Sequence, residues 1–331
     1  MSTLLESLSS DFSSGVVGDI GKALGADSSA VSKGLSLVGP LLLTSMTKQA
    51  AQPGGPESLM KLLPEGTGGL LGSLGGMLGG ITGGAAGGAT GPLSAVLGPG
   101  VNAIGGALSR TLGFNVTPLL GLVAPALLGV VSKAVQSQKL DAGGLSSLLG
   151  RESDRFASDP ANQQTVAQVS SAIEAGDQAS ATIASYGESW KQVVAGPAAA
   201  LFLVATSDLS GPIGSVKEAQ AAGKALLDAA QGSEPTSVLQ TAFGGGLTTD
   251  MASQVKALAP SKDQLIDVVK AGAAAVTARS PAEARSYKDA ILSVAQAAAE
   301  ASKEGGFLGF GGTLVSKEEQ AAIDTLKAAV A

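Results

Sequence analysis

Apolar positions along this chain fall first in two Leu-rich stretches, LSLVGPLLLTSMTKQA ending at Ala50 and LLGLVAPALLGVVSKAV ending at Val135. Beyond residue 165 they continue as an Ala-rich, strongly helical pattern. The two stretches align with each other: Val38-Gly39-Pro40 with Val123-Ala124-Pro125, Leu42-Leu43 with Leu127-Leu128, and Lys48 with Lys133. Upstream, Leu24-Gly25 matches Leu112-Gly113; downstream, Gly54-Gly55 and Leu59 match Gly143-Gly144 and Leu148. Each copy predicts a short helix, a Gly turn, a long apolar helix bent at Pro, a second Gly turn and another short helix. Asp27 or Ser28 suits the N-cap of the first long helix.

Between the copies charge disappears. No charged residue occurs from Gly66 to Ser109, and Gly72, Gly76, Gly80, Gly84 and Gly88 recur every four positions. A second register, Gly75, Gly79, Gly83, Gly87 and Gly91, runs beside the first. Such a small-xxx-small ridge lets two helix backbones touch. Each Gly in a helix costs about 1 kcal/mol relative to Ala, so a helix here needs a partner surface. Three readings stay open, in this order: a connector, a site of homotypic assembly, and a membrane-inserted segment. No Lys/Arg cluster or Trp/Tyr belt flanks it, which argues against the last. The five glycines of the first register are the candidate interaction segment.

The stretch VVGDIGKALGADSSAVSKGLSLVGPLLLTSM carries the spacing G-x-x-L-G-x-D-x-S, followed by a Pro within a Leu-rich helix. Here the chain resembles the YidB-like family, a bacterial domain of unknown function, over residues 1–65 and in a second, diverged copy over 92–150. The family implies no activity and no catalytic residues.

Residues 151–165, RESDRFASDPANQQT, are polar and contain Pro160, which predicts a linker. The following half, 166–331, predicts one acidic bundle of five to seven helices. Its helix starts are written as capping boxes: Ser215-Val-Lys-Glu218, Ser316-Lys-Glu-Glu319, Ser280-Pro281-Ala-Glu283 and Ser261-Lys-Asp-Gln264. The stretches LVATSDLSGPIGSVKEAQ and AAAEASKEGGFLGFGGTLVSKEEQ resemble the TerB-like, tellurite-resistance-associated helical fold. The Asp-Gly that this resemblance implies is replaced by Asp208-Leu-Ser-Gly in one and by Lys303-Glu-Gly in the other.

Composition narrows the function. Aromatics make up 3% of the chain and charged residues 15%, so helix formers dominate and the fold class is all-α. Acids and bases balance over residues 1–150, and the whole net charge of −6 lies beyond them. With no basic patch, nucleic-acid binding is not expected. Cysteine and histidine are both absent, which removes disulfides, thiol and imidazole catalysis, and Cys/His metal sites. The N-terminus has no basic region ahead of an apolar one, so a cytoplasmic protein is expected.

Candidate chemistry is thin. Asp208, Ser210 and Glu218 supply oxygens, but too few and at the wrong spacing for a calcium loop, so a helix start is the better reading. Asp208 and Glu218 remain the weak metal candidates. GFLGFGG at 306–312 is read as an apolar turn folded onto the bundle through Phe307, Leu308 and Phe310. Tyr186 and Trp190 share a helix face at i, i+4, and with Phe202 are read as core. No cofactor is expected. The chain reads as a non-enzymatic scaffold or interaction protein that self-associates, or binds a protein partner, through its apolar N-terminal half, with Leu41–Leu43 and Leu127–Leu128 as exposed apolar surface. The alternative is a peripheral membrane or envelope-stress protein docking the same segment on lipid.

Overall fold

The structure is a computed structural model that describes residues 3–64, 90–207, 212–245, 249–259, 261–301 and 315–331. Every regular element among the described residues is a helix, so the protein is all-α. The chain divides into two compact units, residues 1–180 and 181–331.

Unit 1 contains α1 (Leu4–Asp11), α2 (Ser14–Leu24), α3 (Ser28–Ala50), α4 (Gly55–Leu62), α5 (Thr90–Leu97), α6 (Val101–Leu112), α7 (Thr117–Gln138) and α8 (Ala142–Ser158). It also holds most of α9 (Gln163–Tyr186). The helix boundaries follow local chemistry. Thr3 and Glu6 close a capping box at α1, with N–H to oxygen distances of 2.8 and 3.0 Å. Gly25 ends α2 at φ 63°, and Asp27 then caps α3 by accepting from the Ala30 N–H at 2.8 Å. Gly113 ends α6 at φ 78°, and Asp141 caps α8 through the Gly144 N–H at 2.7 Å.

Helices α3 and α7 are apolar around their middle turns, and those turns are enclosed. Leu37 to Leu43 of α3 is buried without interruption, and so is Leu119 to Ala124 of α7. Each helix carries an interior proline, Pro40 and Pro125, whose lost hydrogen bond is offset by burial of the flanking leucines. One expectation is overturned here. Leu41, Leu42, Leu43, Leu127 and Leu128 are between 0 and 4% exposed, so they form this unit's own core and are not an apolar surface. A second difference concerns residues 151–165, which are helical. α8 runs to Ser158, Asp159 caps a single 3-10 turn at Pro160–Asn162, and α9 follows at once. The polar composition there goes with exposure: α8 buries Leu145, Leu148 and Leu149 in its earlier turns, and no residue from 151 to 165 is buried.

Unit 2 contains α10 (Trp190–Ala205), α11 (Pro212–Gln231), α12 (Val238–Phe243), α13 (Thr249–Leu258), α14 (Lys262–Arg279), α15 (Ala284–Ala301) and α16 (Lys317–Val330). Its centre is α10, buried from Val193 to Leu201 and packed against α11, α13, α14, α15 and α16. This helix also has an interior proline, Pro197, which leaves the Val193 carbonyl four residues back without its N–H donor. The Tyr287 hydroxyl, from α15, donates to that carbonyl at 2.7 Å. Two glycines make room for it: a Cβ at Gly196 would lie 2.5 Å from the Tyr287 oxygen, and one at Gly272 2.8 Å from it. Tyr287 is fully buried, and burial pushes its hydroxyl well above the usual phenol range, so it remains a donor.

The helix starts divide. Ser316 and Glu319 form the expected capping box, at 3.2 and 2.7 Å. At Ser261 both the N–H and the hydroxyl donate to Gln264 Oε1. Helix α11 begins at Pro212, ahead of the expected start at Ser215. Ser280 and Glu283 do not close a box. Ser280 has φ −133° and ψ 65°, Pro281–Glu283 is a 3-10 turn, and the Glu283 carboxylate accepts from the Val238 N–H at 2.6 Å, starting α12 instead.

Candidate functional site

The residues singled out in the sequence scatter. The glycine register Gly72, Gly76, Gly80, Gly84 and Gly88 lies outside the described residues, as do Asp208 and the turn at 306–312. Glu218 is fully buried within α11, three residues beyond Ser215. Among the described residues no group of three or more Asp, Glu, His or Cys side chains could hold a metal ion. Tyr186 is buried and meets Trp190 edge-on, with ring centroids 5.5 Å apart. Burial raises the Tyr186 hydroxyl above its ordinary range, and it donates to Ser280 at 3.0 Å. Phe202 departs from the core assignment: it is 36% exposed. Twelve residues beyond Trp190, it lies about a third of a turn around the helix from it, on the rim of α10.

Unit 1 has an open groove of about 1200 Å³ between α1, α7 and α8. Its apolar floor comes from a half-buried stretch of α7, Gly129 and Val130 with Ala134 beside them, and from Leu4 and Leu148. Lys133 stands on the same stripe of α7, and Arg151 and Arg155 lie one turn apart on α8. Asp11, Glu152 and Asp154 face them as carboxylates. Glu152 has a structural duty, because its carboxylate accepts from the Leu4 N–H at 2.8 Å and so starts α1. It also lies 4.0 Å from Arg155. The groove thus sets charges of both signs and the Ser7, Ser10 and Ser137 side chains around an apolar floor.

No periodicity in the sequence marks this groove, because it joins helices separated by more than a hundred residues. The signal available was the aligned pair Lys48 and Lys133. Lys48 is engaged by Asp177 at 2.5 Å, whereas Lys133 opens onto the groove. Helix α7 is also long and apolar enough to cross a membrane, yet 72% of its most apolar window is buried inside the structure.

No curated protein and no solved structure matches the chain. Over residues 6–134, from α1 through most of α7, the chain is similar to a bacterial protein family of unknown function (DUF937).

Proposed function

We propose that the chain is a non-enzymatic scaffold or interaction protein that assembles through the uncharged, glycine-repeating segment of its N-terminal unit. The observation that carries this reading is in the sequence. The run from Gly66 to Ser109 has no charged residue and Gly recurs every four positions from Gly72 to Gly88, while the leucine stretches are consumed by the unit's own core. The described residues on either side of Gly66–Gly88 are packed. The Pro64 carbonyl accepts from Ser132 on α7 at 2.9 Å, and α5, which follows the segment, packs on α3 and α7. The two aligned halves of unit 1 each run helix, left-handed glycine, long proline-bearing helix and further helix, which supports a duplicated YidB-like unit. The TerB-like resemblance of the second half, and a cytoplasmic location, belong to the same reading.

The partner proposed is a second copy of the chain. Size-exclusion chromatography with light scattering compares the full chain with a variant whose residues 67–89 are replaced by a Gly-Ser linker of equal length. Assembly of the first and a monomeric second supports the proposal; a monomeric full chain at high concentration overturns it. Because the same segment lacks charge, docking on lipid is the second reading, tested by co-sedimentation of both proteins with anionic vesicles.

A further inference from the structure

Unit 2 has a second concavity, of about 480 Å³, at the C-terminal end of α10, where α13 and the start of α14 meet it. Its volume falls within the roughly 300–1,000 Å³ typical of small-molecule sites. Its apolar wall is Phe202, backed by the buried side chains of Val255, Ala259 and Leu265. Phe202 is the one large hydrophobic side chain classed as exposed among the described residues, and it is exposed here.

Among the described residues that line the cavity, the charged ones are Lys256 of α13 and Lys262 of α14, and none is a carboxylate. Four other cations of the unit stand in ion pairs: Lys191 with Glu188, Lys224 with Asp228, Arg285 with Asp289, and Lys327 with Asp324. Lys256 and Lys262, like Lys217, Lys270 and Lys317, stand in none among the described residues. Two cations from two different helices beside an exposed ring make a site for an ion with an apolar body.

We propose that this cavity binds a small amphipathic anion, with its apolar body against Phe202 and its carboxylate between Lys256 and Lys262. The cavity is sized for such a molecule rather than for a protein face, and its two lysines select the anionic head over a neutral or cationic one.

The test is calorimetric titration of the full chain with decanoate, decanol and decyltrimethylammonium, each below its micelle concentration. The variants are Lys256→Gln/Lys262→Gln and Phe202→Ser, all at exposed positions, with circular dichroism as the check on folding. Decanoate is expected to saturate one site, with decanol at least tenfold weaker and the cation not bound. The double lysine variant should lose at least tenfold for decanoate and leave decanol unchanged; Phe202→Ser should weaken both. If the double variant fails to fold, each single lysine variant reads the same effect. The proposal is overturned by absence of saturable decanoate binding, by equal affinity for decanoate and decanol, or by decanoate affinity indifferent to the lysines. Binding of a protein partner at this face, with no decanoate site, overturns it as well.

Discussion

The hydrogen bond from Tyr287 to Val193 predicts a specific double-mutant cycle. Removing the hydroxyl in Tyr287→Phe leaves the Val193 carbonyl buried with neither its helical donor, absent because residue 197 is proline, nor its substitute. A buried polar group left in that state costs about 1–3 kcal/mol. Pro197→Ala restores an N–H positioned to donate to the same carbonyl, so Tyr287→Phe in that background strands nothing. The cost of Tyr287→Phe should therefore fall by about 1 kcal/mol or more when residue 197 is alanine. Urea unfolding followed by tryptophan fluorescence reads the right unit, since Trp190 is the chain's single tryptophan and belongs to α10. The full chain carries two units, so the fluorescence transition is fitted separately from the circular-dichroism one. At about 2–4 °C per kcal/mol, the same ordering should appear in melting temperatures. Additivity of the two substitutions within about 0.5 kcal/mol would refute the compensating role assigned to the phenol.

Three further outcomes are expected. Leu42→Ala should cost about 2–5 kcal/mol in unfolding while leaving the light-scattering mass unchanged, because Leu42 is fully buried in unit 1; a change in mass without a loss of stability contradicts that placement. Glu283→Ala should lower the melting temperature of unit 2 by removing the acceptor for the Val238 N–H, with Glu283→Gln closer to wild type, and hydrogen exchange at Val238 should rise in the first. Asp27 has its carboxyl held below the usual range, first by the Ser29 hydroxyl and then by the Ala30 N–H. Its folded-state value is depressed, so its contribution is present above the unfolded value of about 3.9 and is lost as pH falls through the folded one. Asp27→Asn should accordingly melt lower than wild type at pH 7 and converge with it toward pH 2, whereas a constant gap across that range would exclude the charge as the cause.

Features set by neighbouring residues were legible in the sequence. The Leu and Ala content announced helices, Gly25 and Gly113 announced turns that require positive φ, and Asp27 and Ser316 announced caps. What escaped was tertiary. Leu41–Leu43 look like exposed surface only when α3 is considered without the helices around it. Glu283 stands at the local spacing of a capping box, yet its carboxylate is taken by a helix start 45 residues earlier. The polar stretch 151–165 reads as a linker because an exposed helix end and a true linker share a composition. Neither concavity was foreseen, since each is lined by helices distant in sequence whose individual residues, Lys133 or Phe202, carry no motif.

The bond between Tyr287 and the carbonyl left by Pro197 has a consequence for motion. Packed helices can slide past one another by a turn, about 5.4 Å, when the ridges of small side chains look alike before and after the step. The Ala-rich surface of α10 is of that kind. Yet the Val193 carbonyl, left without its helical donor by Pro197, meets the Tyr287 hydroxyl at one height on α15, and the glycines at 196 and 272 make room for the phenol there. The pair therefore works as a detent: sliding α10 against α15 by a turn would break this bond and drive the phenol into backbone where a glycine no longer makes room, so it favours one register along the unit's central helix.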